Sequence, residues 1–394
     1  MDTPRIYVDN AATSFPKPPG VMEAMQHYAA RIGASAGRGG YHEALEAGEM
    51  IDEVRAKVAR LINAPSGKSI IFTHNCTDAL TLAIKGLITD PDAHVITTAM
   101  DHNSVLRPLE ALKQQLSITV THIPADGQGL VDPAAIEKAM TAQTRLIAAV
   151  HASNVCGSLQ DIQAIASIAQ ARGVPLLIDG AQTVGHVPID VQSLGVELLA
   201  FPGHKGLLGP LGTGVLYIQP GFEQHLRPVR EGGTGSKSEL PIQPDFLPDR
   251  FESGSHNAIG IAGLGAGADY LLQQGIAKIH EHARQLSRTF LDALQDDLQG
   301  GPLTLYGPRN LEHRVGVFSV RIEGLEPAEL SAILEEQHGL LTRSGLHCAP
   351  YAHKALGTLE LGGTTRLSIG PFNEIQDLIR AASALTRISH SLVK

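Results

Sequence analysis

The chain has 394 residues, more than one hydrophobic core usually fills, so two domains are expected. A composition of 43% hydrophobic and 18% charged residues describes an ordinary globular protein, not a disordered or membrane chain. A net charge of -9, with no dense Lys/Arg block, argues against a nucleic-acid surface and leaves small-molecule chemistry as the default.

Met1-Asp2-Thr3-Pro4-Arg5 carries an acid and a proline where a secretory signal needs a basic start and an apolar stretch. No run approaches the roughly 18 apolar residues of a membrane span. A cytoplasmic protein without membrane contact is therefore expected. From about residue 69 to 218, short apolar runs alternate with helical periodicity. Ser69 to Thr73, His94 to Thr98, Ser117 to Ile123, Arg145 to Val150, Pro175 to Asp179, Val196 to Phe201 and Thr213 to Ile218 read as strands. Between them, Thr77 to Ile88 has one apolar face, Asp132-Pro133 opens a helix with a cap and a first-turn proline, and Asp161 to Arg172 stops at Gly173. This alternation predicts an α/β fold with a mostly parallel central sheet and helices on both faces.

Residues 221–255 break the rhythm with glycine and proline, and so long an irregular connection is usually functional or lies at an interface. Beyond it, helices near 258–274 and 276–298, a strand at 314–322, a helix at 327–337, a strand at 365–369 and a helix from Asn373 read as a smaller α+β domain. The expected division is an N-terminal segment (1–20) packing near the active site, a large domain (21–257) and a small C-terminal domain (258–394).

Asp179 ends one apolar run and Lys205 follows a second, inside Gly203-His204-Lys205-Gly206. If these runs are neighbouring parallel strands, a carboxylate and an amine share the crevice where open α/β sheets bind ligands. Such a lysine can hold an aldehyde as a Schiff base while the aspartate pairs with a pyridinium nitrogen, the division of labour that pyridoxal 5'-phosphate needs. The flanking Gly203 and Gly206 would let backbone approach the ligand. Gln182 would reach the ring hydroxyl or face solvent. The strand end and helix start around Cys76 and Thr77 offer backbone amides to a phosphate, with His204 a further candidate. His102 and Asn154 follow strand ends, and an imidazole there can stack on a flat ring and move protons. Arg366 could clamp a carboxylate bidentately or form a surface ion pair. Cysteines Cys76, Cys156 and Cys348 are too scattered for a disulfide framework or a metal cluster, so no metal is expected. Cys348, beside His347 and near Arg343, is placed to be more thiolate-like than a free thiol, though a small buried hydrophobe is the usual fate of cysteine.

Ile6 to Thr13, Asp179-Gly180-Ala181-Gln182, Gly203-His204-Lys205, Arg250-Phe251-Glu252-Ser253-Gly254 and Arg343 to Pro350 together resemble the cysteine desulfurase family, of the class V aminotransferase fold. The resemblance runs from Ile6 to Asn373, and Arg343 to Ala349 is nearest to the selenocysteine-lyase-like group. It implies pyridoxal phosphate-dependent transferase fold type I, a homodimer, and conversion of L-cysteine to L-alanine with sulfur passed to an enzyme cysteine as persulfide. It further implies Lys205 as Schiff base and proton carrier, Asp179 on the ring nitrogen, His102 over the ring, and Gln182 and Asn154 near the ring oxygen. Thr77 and His204 are implied at the phosphate, with Ser255 reaching it from the other subunit. Arg366 with Asn10 would hold the substrate carboxylate, and Cys348 would take the sulfur. Pro202 stands where a phosphate-binding serine is common, Ser255 replaces a frequent threonine, and Leu346 replaces a usual second histidine. Selenocysteine lyase, cysteine sulfinate desulfinase and transamination remain alternatives, as does a non-catalytic assembly partner; a sulfur-acceptor protein is a further expected partner.

Overall fold

The structure is a computed structural model that describes residues 5–37 and 39–392. Met1 to Pro4, on which the expected absence of a secretory signal largely rests, lie outside the described residues.

After a short strand β1 (Ile6–Tyr7), the chain forms β2 (Ile70–Thr73), β3 (His94–Thr98), β4 (Thr119–Ile123), β5 (Thr144–Val150), β6 (Leu176–Asp179), β7 (Leu198–Pro202) and β8 (Gly214–Ile218). These last seven make one sheet in the order β2-β8-β7-β6-β5-β3-β4. Strands β3 to β7 are mutually parallel, while β8 runs antiparallel to β2 and β7. The expected pairing of the Asp179 and Lys205 runs is present, with Asp179 opposite Ala200 in the parallel β6–β7 register. Each of the seven predicted runs becomes a strand because alternate residues feed two separate cores. Ile96, Ile147, Ile178, Leu199 and Val215 enter one, and Val95, Leu146, Leu177, Leu198 and Leu216 the other.

Helices cover both faces. The sequence reading places none before Cys76, yet α1 (Val21–His27) and α2 (His42–Leu61) stand there. The buried stripe of α2 mixes Ala44 and Ala47 with Ile51, Val54 and Val58, and alanine is a faint periodicity signal. α3 (Cys76–Leu87) and α4 (Asn103–Leu116) pack Leu80, Ile84, Leu109 and Leu112 on one face of the sheet. α5 (Pro133–Ala139), α6 (Ile162–Arg172), the single turn α7 (Val191–Leu194) and α8 (Ala258–Gln274) supply Ile136, Ile165, Val191 and Leu264 to the other. The irregular stretch 221–255 holds only one short turn of 3-10 helix, Phe222–His225.

The rest forms a second layer. α9 (Ile276–Ala293), α10 (Pro327–His338), α11 (Pro350–Ala355) and α12 (Ile375–Leu392) accompany β9 (Leu303–Tyr306), β10 (Val317–Ile322), β11 (Leu340–Leu341), β12 (Arg343–Gly345) and β13 (Thr364–Ser368). Four of these strands make an antiparallel sheet, β12-β13-β10-β9, while β1 pairs in parallel with β11. Its core joins Phe290, Phe318, Leu330, Leu334, Leu367 and Leu385 with Ile6 and Val8 of the N-terminus. The expected division at residue 258 does not follow these cores. α8 buries Ile261, Leu264 and Leu271 against the large sheet and Ile279 of α9 still joins them, whereas Leu286 and Phe290 further along α9 join the smaller core, so the change falls within α9.

Candidate active site

Parallel strands that end together deliver their following residues to one edge, and a cavity of about 240 Å³ lies there. Lys205, Asp179, Gln182, Thr77, Cys76, His102, Asn154, His204 and Arg366 all line it, as do Ala11 and Ala12 from the N-terminal segment. Residues from both ends of the chain, Ala11 to Arg366, thus converge as the sheet order dictates.

Asp179 is buried; its Oδ1 accepts the Ala181 N–H at 2.9 Å and faces the Cys76 thiol at 3.8 Å. Burial raises its pKa, which the Ala181 amide and the Lys205 charge offset only in part. The Lys205 side-chain amine makes no hydrogen bond among the described residues, and burial moves it toward the neutral form against the pull of Cys76 and Asp179. An amine biased that way is a readier nucleophile and base than an ordinary lysine.

The glycines beside Lys205 serve a purpose other than the expected one. A Cβ on Gly203 would lie 2.1 Å from the Thr213 hydroxyl, and one on Gly206 would lie 2.1 Å from the Val184 carbonyl. Their absent side chains let the lysine loop pack on its own scaffold, which fixes Lys205. The His204 carbonyl in that loop also accepts from Ser14 N, Thr13 Oγ1 and Lys17 Nζ at 3.0–3.1 Å, tying the N-terminal segment to the lysine.

His102 caps α4. Its Nδ1 accepts the Ser104 backbone N–H at 3.1 Å, so the ring proton belongs on Nε2. Burial, then the Lys205 charge, lowers its pKa to about 4, and the ring is neutral near pH 7. A second proton on Nδ1 would meet the capping N–H head-on. The geometry suits a flat neutral ring with an Nε2 donor better than the expected proton carrier. Ser104 Oγ lies 2.9 Å from His102 Nδ1 and 2.7 Å from Thr77 Oγ1, joining the ring to the first turn of α3. The sequence reading missed Ser104, whose only signal is its place two residues into a helix start.

At the α3 N-terminus the Asn75 side chain caps Asp78 N at 2.9 Å, and the Cys76 and Thr77 amides have no backbone acceptor among the described residues. They leave two amide donors open at the N-terminus of a 12-residue helix, the arrangement that suits an anion. Asn154 donates to the His347 carbonyl at 2.7 Å, while its Oδ1 and the Nδ1 of His204 are buried without a partner. Burial also holds His204 neutral, its pKa down to about 4. Buried unpaired polar atoms are costly, so these two point to a polar ligand in the cavity. Gln182 is already engaged, its Nε2 donating to the Ala11 carbonyl at 3.1 Å.

Arg366 is neither free nor on the surface. One guanidinium nitrogen meets Asp9 Oδ1 at 2.5 Å and another donates to the Asn154 carbonyl at 3.1 Å. Arg343 stands directly across the β12–β13 ladder from Arg366, lines the cavity, and has no acceptor among the described residues. Among the described residues it is the arginine of the cavity whose guanidinium is left unpaired. Asn10 does not line this cavity; its side chain bonds the Ser368 carbonyl at 3.2 Å and accepts Phe15 N at 3.3 Å, a brace within the N-terminal segment. Ser255 is exposed on a separate depression beside His74 and His256 and does not reach the cavity of its own chain.

Cys348 is exposed at the edge of the cavity, next to His347, which lines it. Both have left-handed backbone, φ +48° for His347 and +60° for Cys348, which non-glycine residues rarely hold without reinforcement. The reinforcement is the Asn154 bond to His347 and the Asn103 N–H bond to the Cys348 carbonyl at 2.8 Å. His347 is not the charged neighbour expected for this thiol. It is buried, its Nε2 lies 3.2 Å from the Thr364 carbonyl, and burial lowers its pKa to about 2. Leu346 beside it is exposed.

Among the described residues no group of His, Cys, Asp and Glu could hold a metal, and no helix is long and apolar enough to cross a membrane. The chain is 36% identical over 389 residues to a probable cysteine desulfurase of Methanothermobacter thermautotrophicus, covering 98% of this chain and 94% of that one. It is 33% identical to a cysteine desulfurase of Yersinia pestis, with 99% and 94% covered. The apo structure of the cysteine desulfurase of Thermococcus onnurineus superposes with a TM-score of 0.90 at 33% identity, covering 98% of this chain and 95% of that one. The Escherichia coli desulfurase CsdA, in its S-sulfonic acid form, gives 0.85 at 27% identity, with 98% and 94% covered. A sequence model of the aminotransferase class-V family matches residues 6–380, and with these relatives along its whole length the chain belongs to that family.

Proposed function

We propose that this enzyme is a pyridoxal 5'-phosphate-dependent cysteine desulfurase that converts L-cysteine to L-alanine and keeps the sulfur as a persulfide on Cys348. One observation carries the reading: a loosely held amine and an under-compensated buried carboxylate share a cavity whose edge presents an exposed thiol on strained backbone. The unpaired Asn154 Oδ1 fits a ring hydroxyl that donates to it, and His204 Nδ1 with the open α3 amides fits the phosphate of the cofactor.

In this reading Cys76 and Thr77 amides, the Thr77 hydroxyl and His204 hold the phosphate, Asp179 keeps the ring nitrogen protonated, and His102 lies against the ring. Gln182 and Asn154 face its oxygen. When bound, the cofactor supplies an electron-withdrawing ring that takes up the negative charge left on the substrate when its Cα proton departs. Lys205 Nζ, biased toward neutrality, holds the aldehyde and then accepts that proton. Arg343, with Arg366 braced by Asp9, receives the substrate carboxylate and orients the sulfur toward the edge of the cavity. Cys348 Sγ, as thiolate, attacks that sulfur; the S–S bond forms as the substrate C–S bond breaks, and the departing electron pair returns to the carbon skeleton. Ser255 completes the phosphate site of a second copy, and the irregular stretch 221–255, with Leu240, Ile242 and Phe246 exposed, is the contact surface of the homodimer. The smaller unit, from the middle of α9 onward, carries the cysteine loop.

Mass spectrometry after addition of L-cysteine tests this. We expect a 32 Da adduct on Cys348 and release of alanine, and a Cys348→Ala protein that keeps its yellow colour but releases no sulfide. Full sulfide release by that variant removes the persulfide step.

A further inference from the structure

Cys76 sits at the first turn of a 12-residue helix, where a thiol ordinarily ionises more easily than in water. Its surroundings reverse that tendency. Its Sγ lies 3.8 Å from Asp179 Oδ1, long for a hydrogen bond but within reach of the larger sulfur atom. Burial and the Asp179 charge push the thiol pKa well above its usual value, and Lys205 offsets this only in part. Oδ1 thus receives two donors, the Ala181 N–H and the Cys76 S–H. Among the described residues no donor reaches Oδ2, although that atom is not sealed from the cavity.

We propose that Cys76 is a positioning residue: its thiol stays protonated, donates to Asp179 Oδ1, and so leaves Oδ2 as the oxygen turned to the ligand's ring N–H. This rests on the cofactor reading above. Each extra donor to a carboxylate favours its ionised form, and burial otherwise drives Asp179 toward the neutral acid. A neutral Asp179 would not keep a ring nitrogen charged. Cys76 is therefore distinct from Cys348, which is exposed and free to react.

The coupling is reciprocal, so it can be read from either partner. In Cys348→Ala protein stripped of cofactor, iodoacetamide labelling of Cys76 is followed by mass spectrometry between pH 7 and 9.5. Labelling at pH 8 is expected to be slow, and Asp179→Asn should speed it about tenfold for each unit by which the thiol pKa falls. In cofactor-loaded protein, Cys76→Ala should shift the pH midpoint of the visible absorbance and lower kcat more than it changes KM. Cys76→Ser, which keeps a donor, should restore both. An unchanged midpoint in Cys76→Ala, or labelling indifferent to Asp179→Asn, overturns the proposal. Wild-type protein that takes up no cofactor overturns the functional reading instead, and the labelling arm still decides whether Cys76 and Asp179 are coupled.

Discussion

Asp179 and Glu252 are both buried carboxylates, 2% and 6% exposed, yet the fold treats them in opposite ways. Burial alone would raise the Glu252 pKa, but Arg55 and hydrogen bonds from His256 and Arg55 overcome it, and the carboxyl is held below its usual range. Arg55 forks onto both of its oxygens, Phe72 N donates to it at 2.5 Å, and Arg55 also lies over the Phe72 ring at 4.6 Å. Every lone pair has a partner inside the protein. Asp179 has an amide, a thiol and a distant ammonium, and remains raised. A saturated buried charge fixes structure, here the Arg250 to Gly254 loop against β2 and α2. An unsaturated one stores a demand that a ligand can meet, and this difference separates a structural carboxylate from a functional one.

The sharpest way to break this distinction begins with the partner of Asp179. Lys205→Ala should remove the visible absorbance of bound cofactor and cut alanine formation by about 10²- to 10⁴-fold, the range for a lost general acid–base group. Asp179→Asn should lower turnover by about 10²- to 10³-fold. It should leave the thermal midpoint of cofactor-free protein unchanged or higher, because it removes a charge that burial penalises. Glu252→Gln should do the reverse, costing about 3–5 kcal/mol by stranding Arg55 while leaving the cavity chemistry intact in protein that folds. Equal destabilisation by the two changes, measured by denaturant titration, would end the comparison.

Smaller effects sharpen it. Arg343→Ala should raise KM for L-cysteine about tenfold, as loss of a charged hydrogen bond of about 1.5 kcal/mol implies, with little change in cofactor absorbance. The smallest effect concerns pH. His151, buried, and His186, half-buried, are both neutral, with desolvation lowering their pKa values to about 3 and about 4 from the usual 6.5. Below pH 6.5 the unfolded chain binds more protons than the folded one, so the stability they contribute is complete above that pH and is lost as pH falls toward 4. The thermal midpoint should therefore decline from pH 7 to 5, before Glu252 titrates, since its depressed carboxyl loses its contribution only below the usual carboxylate range.

The central sheet was legible because all its strands except the edge strand β4 are buried on both faces and read as largely apolar runs; β2 to β8 differ from expectation by at most a residue or two at their ends. The convergence of Asp179, Lys205, Thr77 and His102 followed from their places at strand ends. α2 was not legible, since three of its seven buried residues are alanine, and neither was β12, too short for any periodicity. α8 was seen as a helix but assigned to the wrong core, because amphipathicity shows that a face is buried and not against what.

Local pattern thus determined which segments become strands and helices and which residue types stand at their ends, because burial, periodicity and capping act over a few residues. Only tertiary structure decided the circumstances of each side chain: that Arg366 is already paired, that Arg343 is free, that Asn10 is a brace, that His347 is neutral, and that Cys76 touches Asp179. Charge and hydrogen bonding depend on neighbours from distant parts of the chain, and their strengths are set by how much water the packing excludes.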